Sequence, residues 1–516
     1  MNGAELLVKT MLNSGVDVCF ANPGTSEMHF VAALDAHPEM RCILCLFEGG
    51  ASGAADGYYR MSGKVAATLL HLAPGFGNAF ANLHNARKAQ AGVVNIMGEH
   101  ASYHLRYESP LKGETEAISR AVSHWTRVSS DARSVAGDGA EAIRAARGKN
   151  GQIATLILPA NTAWEEGTTP EIAAEPPPLR RPTEAQLRAA ADALQKPGAG
   201  LLVDDKALHG PLGALALRIA KSTGCRLLAP CLAARLRRGA GAVPFERLAY
   251  VVEENVAVLA GLTHLVLCGT QEPTSFFAYP GKPSLPAPPD CPIMPLASVD
   301  MDYGFALGWL ADTLAPDMQL CPDDFIQHDQ PEVATGAMSL EKIGQSFAAL
   351  LPPEAIVVDE GITSSRFFAA PSITAAPHDW LAITGGSIGF GLPAAVGAAV
   401  ACPDRKVVVL EGDGSGMYTL QSFWTMAREG LDVVAVILSN RGYQILRGEL
   451  ANVGVPSVGR NAVRMFDIVE PALDWVALAK GHGVDGIRVT DVDQFNRAFA
   501  GGMARRGPLV IEVICA

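Results

Sequence analysis

The chain has 516 residues, of which 49% are apolar and 18% are charged, and 52 are glycines. This length exceeds what one hydrophobic core usually supports, and the composition is typical of a packed α/β enzyme rather than a disordered or fibrous protein. The formal net charge is −12 and no block of basic residues is present. We therefore expect neither a nucleic-acid partner nor an anionic membrane partner.

The N-terminal region does not resemble an export signal. Glu5, Lys9 and Asp17 interrupt it, and no apolar run approaches the ~20 residues that cross a membrane. The ten cysteines lack a disulfide-like spacing, as expected in a reducing compartment. These features predict a cytoplasmic protein.

Apolar, strand-like runs alternate with helix-length stretches along most of the chain, which predicts βαβ units and parallel sheets. Residues 170–182 are rich in proline, glutamate and alanine, and residues 316–335 form a second polar connection. The sequence therefore predicts an α/β protein with three doubly wound parallel-sheet domains, at 1–168, 183–325 and 336–516.

A glycine-rich turn follows the strand predicted at Lys406–Glu411. Its sequence is Gly412-Asp413-Gly414-Ser415-Gly416, and a helical pattern comes next. Unpaired N–H groups and the helix dipole converge at such a turn, which favours a phosphate group. A nicotinamide-binding turn has a similar pattern, so a NAD-binding oxidoreductase is an alternative from another class. Against it, the Asp413 carboxylate would repel a pyrophosphate unless a cation lay between them.

The next predicted strand, Val433–Ser439, ends in Asn440-Arg441-Gly442. Consecutive strands of a right-handed βαβ unit usually lie side by side, so Asp413 and Asn440 should face one point. A carboxylate, an amide oxygen and the Gly442 carbonyl suit Mg²⁺, which also binds diphosphate oxygens. An ordinary turn in which Asp413 caps the following helix is the structural alternative.

Gly412-Asp413-Gly414 followed by Asn440 closely resembles the thiamine-diphosphate (ThDP) motif of the pyruvate decarboxylase and acetolactate synthase superfamily. The segments Asn22–Thr25, Glu48–Gly57 and His71–Asn78 are similar to benzoylformate decarboxylase and its acetolactate synthase relatives, as is Gly385–Pro393. The resemblance implies the pyrimidine-binding (PYR), central and diphosphate-binding (PP) domains of the ThDP-dependent decarboxylases.

The resemblance also implies roles for individual residues. Glu48 would hold the N1′ atom of the aminopyrimidine, His71 would transfer protons, and Thr25 would meet the substrate carboxylate. The Gly386 carbonyl would accept from the 4′-amino group, and Ile388 would support the bent cofactor. The cofactor-binding residues implied are Asn22, Pro23, Asn78, Thr363, Gly386, Ile388, Gly412, Asp413, Gly414, Ser415, Asn440 and Tyr443, with Asp413, Asn440 and Gly442 as Mg²⁺ ligands.

The implied reaction is ThDP- and Mg²⁺-dependent decarboxylation of a 2-oxo acid through a carbanion or enamine, followed by aldehyde release or carboligation. An acetolactate-synthase-like carboligase and a catalytically silent subunit are the alternatives within the family. The two halves of the family's site meet across a subunit interface, which implies a homodimer or a dimer of dimers. We do not expect FAD, because Cys231–Arg238 replaces the Met-Gly-Lys-Gly-like segment of acetolactate synthases. Phe276–Gly281 also lacks the second histidine of benzoylformate decarboxylase.

Overall fold

The computed structural model describes residues 1–455 and 457–515. The strands of its first sheet are β1 (Val18–Asn22), β2 (Arg41–Leu44), β3 (Ala66–Leu70), β4 (Val93–Glu99), β5 (Trp125–Val128) and β6 (Ile153–Pro159). Their order is β2-β1-β3-β4-β6-β5, and all neighbours are parallel. Strands β3, β4 and β6 are buried along their whole length because helices cover both faces of the sheet, which explains their unbroken apolar runs.

The helices of this part begin and end where the sequence provides caps. Asn2 and Glu5 form a capping box at the start of the first helix, and Gly63 ends the third with a φ of 69°. The helices are α1 (Gly3–Asn13), α2 (Met28–Asp35), α3 (Glu48–Ser62), α4 (Leu72–Lys88), α5 (Thr115–Arg120), α6 (Val135–Arg147) and α7 (Ala160–Trp164), with a 3₁₀ turn at Thr25–Glu27.

The central part of the chain contains the strands β7 (Ala199–Val203), β8 (Arg226–Ala229), β9 (Leu236–Arg238), β10 (Glu246–Arg247), β11 (His264–Cys268) and β12 (Ile293–Ala297). All of these except β9 form the second sheet, which is parallel and has the order β10-β8-β7-β11-β12. The helices here are α8 (Glu184–Leu194), α9 (Gly210–Thr223), α10 (Val252–Leu259) and α11 (Tyr303–Leu314), with 3₁₀ turns at Asp205–Leu208 and Pro322–Asp324.

The third sheet has seven strands, and six of them come from the last part of the chain. These are β13 (Ala355–Glu360), β14 (His378–Ala382), β15 (Val407–Gly412), β16 (Val433–Ser439), β17 (Asp485–Val489) and β18 (Leu509–Ile514). The order is β17-β18-β16-β15-β13-β14-β9. The edge strand β9 runs antiparallel to β14, an exchange between parts of the chain that the sequence pattern did not indicate. The predicted α/β class with mainly parallel sheets is confirmed, and the domain boundaries stay predictions.

The remaining helices belong to this third part. They are α12 (Leu340–Leu350), α13 (Arg366–Ala369), α14 (Gly391–Ala401), α15 (Asp413–Gly416), α16 (Ser422–Arg428), α17 (Gln444–Asn452), α18 (Arg460–Phe466), α19 (Trp475–Gly481) and α20 (Val492–Ala504). Across the described ranges 1–455 and 457–515, no helix has both the length and the apolar character needed to cross a membrane.

Helices α3 and α14 join the first sheet to the third by packing backbone against backbone. A Cβ atom at Gly57 would lie 2.1 Å from the Ala394 carbonyl oxygen, and one at Gly397 would lie 1.9 Å from the Ala54 carbonyl oxygen. Both helices are almost fully buried. The small residues of α3 and α14 therefore serve a helix–helix contact in which side chains larger than hydrogen do not fit at these two glycines.

We predict that Gly397→Ala destabilises the protein by about 1–3 kcal/mol or more, because the added methyl group would overlap the α3 backbone. The matched control is Gly501→Ala in α20, where the added methyl group would have no atom within 4 Å. There we expect no loss and a gain of about 0.5–1 kcal/mol from the better helix propensity of alanine. Chemical denaturation of both variants measures the difference, and equal stabilities would contradict the close contact.

Candidate active site

His71 and the turn after β1 form the first side-chain cluster. His71 lies between β3 and α4, and its Nδ1 atom is 2.9 Å from Oε2 of the buried Glu27. The same carboxylate accepts from the Gly24 N–H at 2.7 Å and from the Ser26 hydroxyl at 2.5 Å. A carboxylate at Nδ1 favours the tautomer with a proton on Nδ1, which leaves Nε2 to exchange a proton with another molecule.

Three glycines lie so close to Glu27, Glu48 and His71 that a side chain at any of them would clash. A Cβ atom would lie 2.0 Å from the His71 ring at Gly24, 1.7 Å from Glu27 Oε1 at Gly98, and 2.9 Å from Glu48 Oε1 at Gly75. Each distance is below van der Waals contact, so the carboxylates and the imidazole occupy space that a larger residue would fill.

Glu48 begins α3, directly after the loop that follows β2. Its side chain is buried, and its Oε2 accepts a 2.9 Å hydrogen bond from Asn78 Nδ2. Asn22 donates to the Cys45 carbonyl at 2.7 Å and so joins the ends of β1 and β2, while Pro23 and Thr25 are exposed beside it. The predicted residues of the first part therefore gather at the carboxyl edge of the first sheet.

Asp413 and Asn440 form the core of the second cluster, at the carboxyl ends of the neighbouring strands β15 and β16. The Arg441 N–H donates to Asp413 Oδ2 at 2.6 Å, and the Gly442 N–H donates to Asn440 Oδ1 at 3.1 Å. Burial raises the pKa of Asp413 to about 6. No cationic side chain among the described residues forms an ion pair with this carboxylate. No group of three or more His, Cys, Asp or Glu side chains surrounds it in the described part of the chain, so a cation here would also need the Asn440 amide and main-chain oxygens as ligands.

The residues beside Asp413 are held by protein contacts. The Tyr443 ring packs on the turn, where a Cβ atom at Gly414 would lie 2.5 Å from it. The Ser415 hydroxyl donates inward to Glu411, so its main-chain N–H rather than its side chain is available to a ligand. Thr363 lies half-buried in the loop after β13.

The loop before α14 contains Gly386 and Ile388. Gly386 is exposed with a φ of 72°, and the Phe276 ring lies so close to it that a Cβ atom there would be 2.7 Å from the ring. The Asn85 side chain of α4 fixes this loop through two hydrogen bonds to the Ser387 backbone. It donates to the Ser387 carbonyl at 2.7 Å and accepts from the Ser387 N–H at 3.2 Å. Ile388 packs at the edge of the core beneath the loop.

A residue with a positive φ angle lies next to each of three predicted site residues, His71, Thr363 and Asn440. Leu72 follows His71 with a φ of 50°, Ile362 precedes Thr363 with a φ of 49°, and Arg441 follows Asn440 with a φ of 57°. A β-branched residue such as isoleucine rarely adopts this conformation. Such strain persists only where the surrounding structure imposes it, and it is concentrated at functional sites.

A pair of buried carboxyl groups, Glu360 and Glu411, lies beneath the loop before α14 and the glycine-rich turn at Gly412–Gly416. Glu360 accepts from the N–H groups of Gly389 and Gly391, and Glu411 accepts from the Ser415 hydroxyl. Both side chains are fully buried and face each other. Burial raises the pKa of Glu360 to about 7, and burial together with the Glu360 charge raises the pKa of Glu411 well above its usual value.

The raised pKa values imply a pH-dependent stability. The folded state favours the protonated form of these two carboxyl groups. The free energy of unfolding is therefore highest below their unfolded pKa near 4.5, and it falls as pH rises towards about 7. We predict that Glu411→Gln, which keeps this position neutral, raises the melting temperature at pH 8 and leaves it nearly unchanged at pH 5. Thermal melts from pH 5 to 8 measure this, with the exposed Glu39→Gln as control. A pH profile parallel to that of the wild type would contradict it.

The two clusters remain separate within the chain. Among the described residues, no hydrogen bond or ion pair joins the Glu48–His71 cluster to the Asp413–Asn440 cluster. Glu27, Glu360 and Glu411 are not among the site residues predicted from the sequence. Glu27 lies 44 residues from His71, and Glu360 lies 51 residues from Glu411, so only the folded chain brings them together.

Two family models match the chain. The N-terminal TPP (thiamine pyrophosphate) binding domain of thiamine pyrophosphate enzymes matches residues 1–122, and their C-terminal TPP binding domain matches residues 361–513. These ranges contain the first and second clusters, respectively. The matches give no support to the alternative of a NAD-binding oxidoreductase.

Similar proteins cover the whole chain. "Putative acetolactate synthase large subunit IlvX" of Mycobacterium tuberculosis is 46% identical over 100% of this chain and 99% of its own length. Benzoylformate decarboxylase of Pseudomonas aeruginosa is 26% identical over 97% and 96%. The structure of a Rhodococcus jostii ThDP-dependent 4-hydroxybenzoylformate decarboxylase superposes with a TM-score of 0.86 at 23% identity, over 100% of this chain and 99% of that one. The chain belongs to the family of thiamine pyrophosphate enzymes.

Proposed function

We propose that the protein is a ThDP- and Mg²⁺-dependent enzyme that decarboxylates a 2-oxo acid. It then releases the aldehyde or joins the remaining acyl unit to a second carbonyl compound. The observation that carries this proposal is the buried Glu48 at the start of α3, in a chain that also has the Asp413–Asn440 pair at two strand ends. The names of the similar decarboxylase and acetolactate synthase proteins support the same chemistry.

The residues of both clusters have suitable groups for the cofactor. The N–H groups of Gly412–Ser415 begin a helical turn and suit a diphosphate, and Asp413, Asn440 and the Gly442 carbonyl suit Mg²⁺. Glu48 would hold the aminopyrimidine N1′, and Gly386 and Ile388 would orient the ring. When bound, ThDP supplies the electron sink for the bond cleavage, and the protein supplies position and proton transfer.

The substrate meets the protein at His71, Thr25 and a group of aromatic side chains. His71, oriented by Glu27, exchanges a proton through Nε2, and the Thr25 hydroxyl binds the substrate carboxylate. Phe276 lies against Gly386, with its ring centroid 5.1 Å from that of Tyr250 and 4.8 Å from that of Phe277. This apolar wall favours a 2-oxo acid with an aromatic or aliphatic side chain.

We further propose a homodimer or a dimer of dimers. Thr25, Asn78 and Gly386 are exposed in the single chain, although each belongs to a site that must exclude water during catalysis. A second copy would cover them and would bring the Glu48 cluster of one chain to the Asp413 cluster of the other.

A panel of 2-oxo acids, supplied with ThDP and Mg²⁺ and monitored for CO₂, aldehyde and acyloin products, tests the function. We predict CO₂ release from aromatic and branched aliphatic acids, and a fall in turnover of at least about 100-fold in Glu48→Gln with unchanged melting behaviour. Free aldehyde identifies a decarboxylase, and an acyloin or 2-hydroxy-2-oxo acid identifies the acetolactate-synthase-like carboligase. No CO₂ from any acid, or full turnover in the variant, would refute the proposal.

Glu27 should act through His71 as a positioning residue. We predict that Glu27→Gln lowers kcat by about 10- to 100-fold, because the imidazole loses the charge that orients it, and changes KM little. In a double-mutant cycle with His71→Ala, the double variant should lose no more activity than the worse single variant. If the activity losses of the two single variants multiply in the double variant, Glu27 has a role separate from His71. If Glu27→Gln strongly lowers the melting temperature, its role is merely structural.

A further inference from the structure

A cavity of about 750 Å³ lies between the first sheet, the central part of the chain and the proline-rich linker. It is distinct from both clusters described above. Its walls come from the ends of α3 and α6, from the linker at Pro176–Leu179, and from the segments after β7 and β8. Its volume is within the range of cavities that hold small-molecule ligands.

The cavity concentrates positive charge in a chain whose net charge is −12. Among the described residues, the cationic side chains that line it are Arg60, Arg147, Lys149, Lys206 and Arg235, and Asp205 provides the lining carboxylate. Arg60 is neutralised by the buried Asp56, with which it forms two hydrogen bonds. Lys206 is partly buried beside Asp204 and Asp205, but Arg147, Lys149 and Arg235 leave a surplus of positive charge, so the field inside the cavity favours an anion.

Two of these cations are incompletely compensated. Arg235 shares Asp379 with Arg237 and Arg405, which also pair with Glu354, so two carboxylates face three guanidinium groups. Lys149 is exposed, and its ammonium group contacts no carboxylate in the described part of the chain. Guanidinium forks and an ammonium group are the donors that proteins use for phosphate and carboxylate groups.

A strained turn presents Lys149 at the cavity. Lys149 and Asn150 have φ angles of 49° and 66°, and Gly151 follows at 115°. The Asn150 carbonyl fixes the turn by accepting from Lys206 Nζ at 2.6 Å and from the Tyr59 hydroxyl at 3.3 Å. Non-glycine residues in this region are uncommon and are held only by surrounding contacts, which points to a function for the turn.

The cavity also borders a contact among all three parts of the chain. Arg60 donates to the Ala234 carbonyl at 3.2 Å, to the Ala382 carbonyl at 2.7 Å and to the Thr384 hydroxyl at 3.0 Å. Thr384 is two residues before Gly386, and Arg60 is on the helix that begins with Glu48. A ligand in the cavity would therefore touch the far end of the helix that positions Glu48.

We propose that this cavity binds a small, multiply charged anion bearing phosphate or carboxylate groups, and that the bound anion ties the first part of the chain to the central part. Arg147 and Lys149 contribute from one side and Arg235 from the other. The test uses the cofactor-loaded protein but measures binding rather than turnover, so failure of this proposal and failure of the proposed reaction are distinguishable.

The test is calorimetric titration of the ThDP- and Mg²⁺-loaded protein with inorganic phosphate and, separately, with tricarballylate, at constant ionic strength. We expect saturable binding of at least one probe and a loss of affinity of at least tenfold in R147Q/K149Q. The charge-matched control R133Q/K196Q, at two exposed positions outside the cavity, should bind like the wild type. Binding of phosphate alone identifies phosphate esters as the ligand class, and binding of tricarballylate alone identifies polycarboxylates.

Absence of saturable binding for both probes would overturn the proposal, as would equal binding by R147Q/K149Q and the wild type. If that double variant does not fold, K149M alone provides the test, since the exposed Lys149 side chain makes no ion pair among the described residues that folding would lose. Unchanged affinity in folded K149M would then exclude Lys149 from the site and overturn the proposal.

Discussion

The packing of α3 on α14 is the constraint on which the rest of the structure depends. At Gly57 and Gly397 the backbone of one helix touches the backbone of the other, so the two helices cannot shift without a clash. Glu48 is the first residue of α3, and the loop with Gly386 and Ile388 leads into α14. One rigid contact therefore sets the position of Glu48 relative to the loop before α14, and Arg60 extends it to the central part of the chain.

Glycines and residues with positive φ angles occupy different kinds of position around the site. Where a charged or aromatic group must come close to the backbone, the chain has a glycine, as at Gly24, Gly98 and Gly414. Where a side chain is needed in a left-handed conformation, a non-glycine residue is held there by its neighbours, as at Leu72 and Ile362. The cost of such strain is of order 1–3 kcal/mol for each residue, and the dense packing of the interior supplies the compensation.

Charge is distributed unevenly in this acidic protein. Glu27, Glu360, Glu411 and Asp413 are buried around the two clusters, and none of them forms an ion pair with lysine or arginine among the described residues. Backbone N–H groups, hydroxyl groups and His71 contact them instead, and Glu411 Oε2 is left without a hydrogen-bond partner in the described part of the chain. A divalent cation and a cationic thiazolium ring are therefore electrostatically suited to this interior, whereas the surplus of fixed positive charge lies in the separate cavity near Lys149.

The sequence by itself determined the α/β class, the family and most of the candidate residues, because each rests on a local pattern. Gly412–Gly416, Asn440 and Glu48 directly follow strand-like runs, so their places at strand ends could be inferred from short segments. Only the tertiary structure decided that Glu27 supports His71, that Glu360 pairs with Glu411, and that β9 joins the third sheet. These contacts connect residues far apart in the chain, and their partners are chosen by packing rather than by any short-range periodicity.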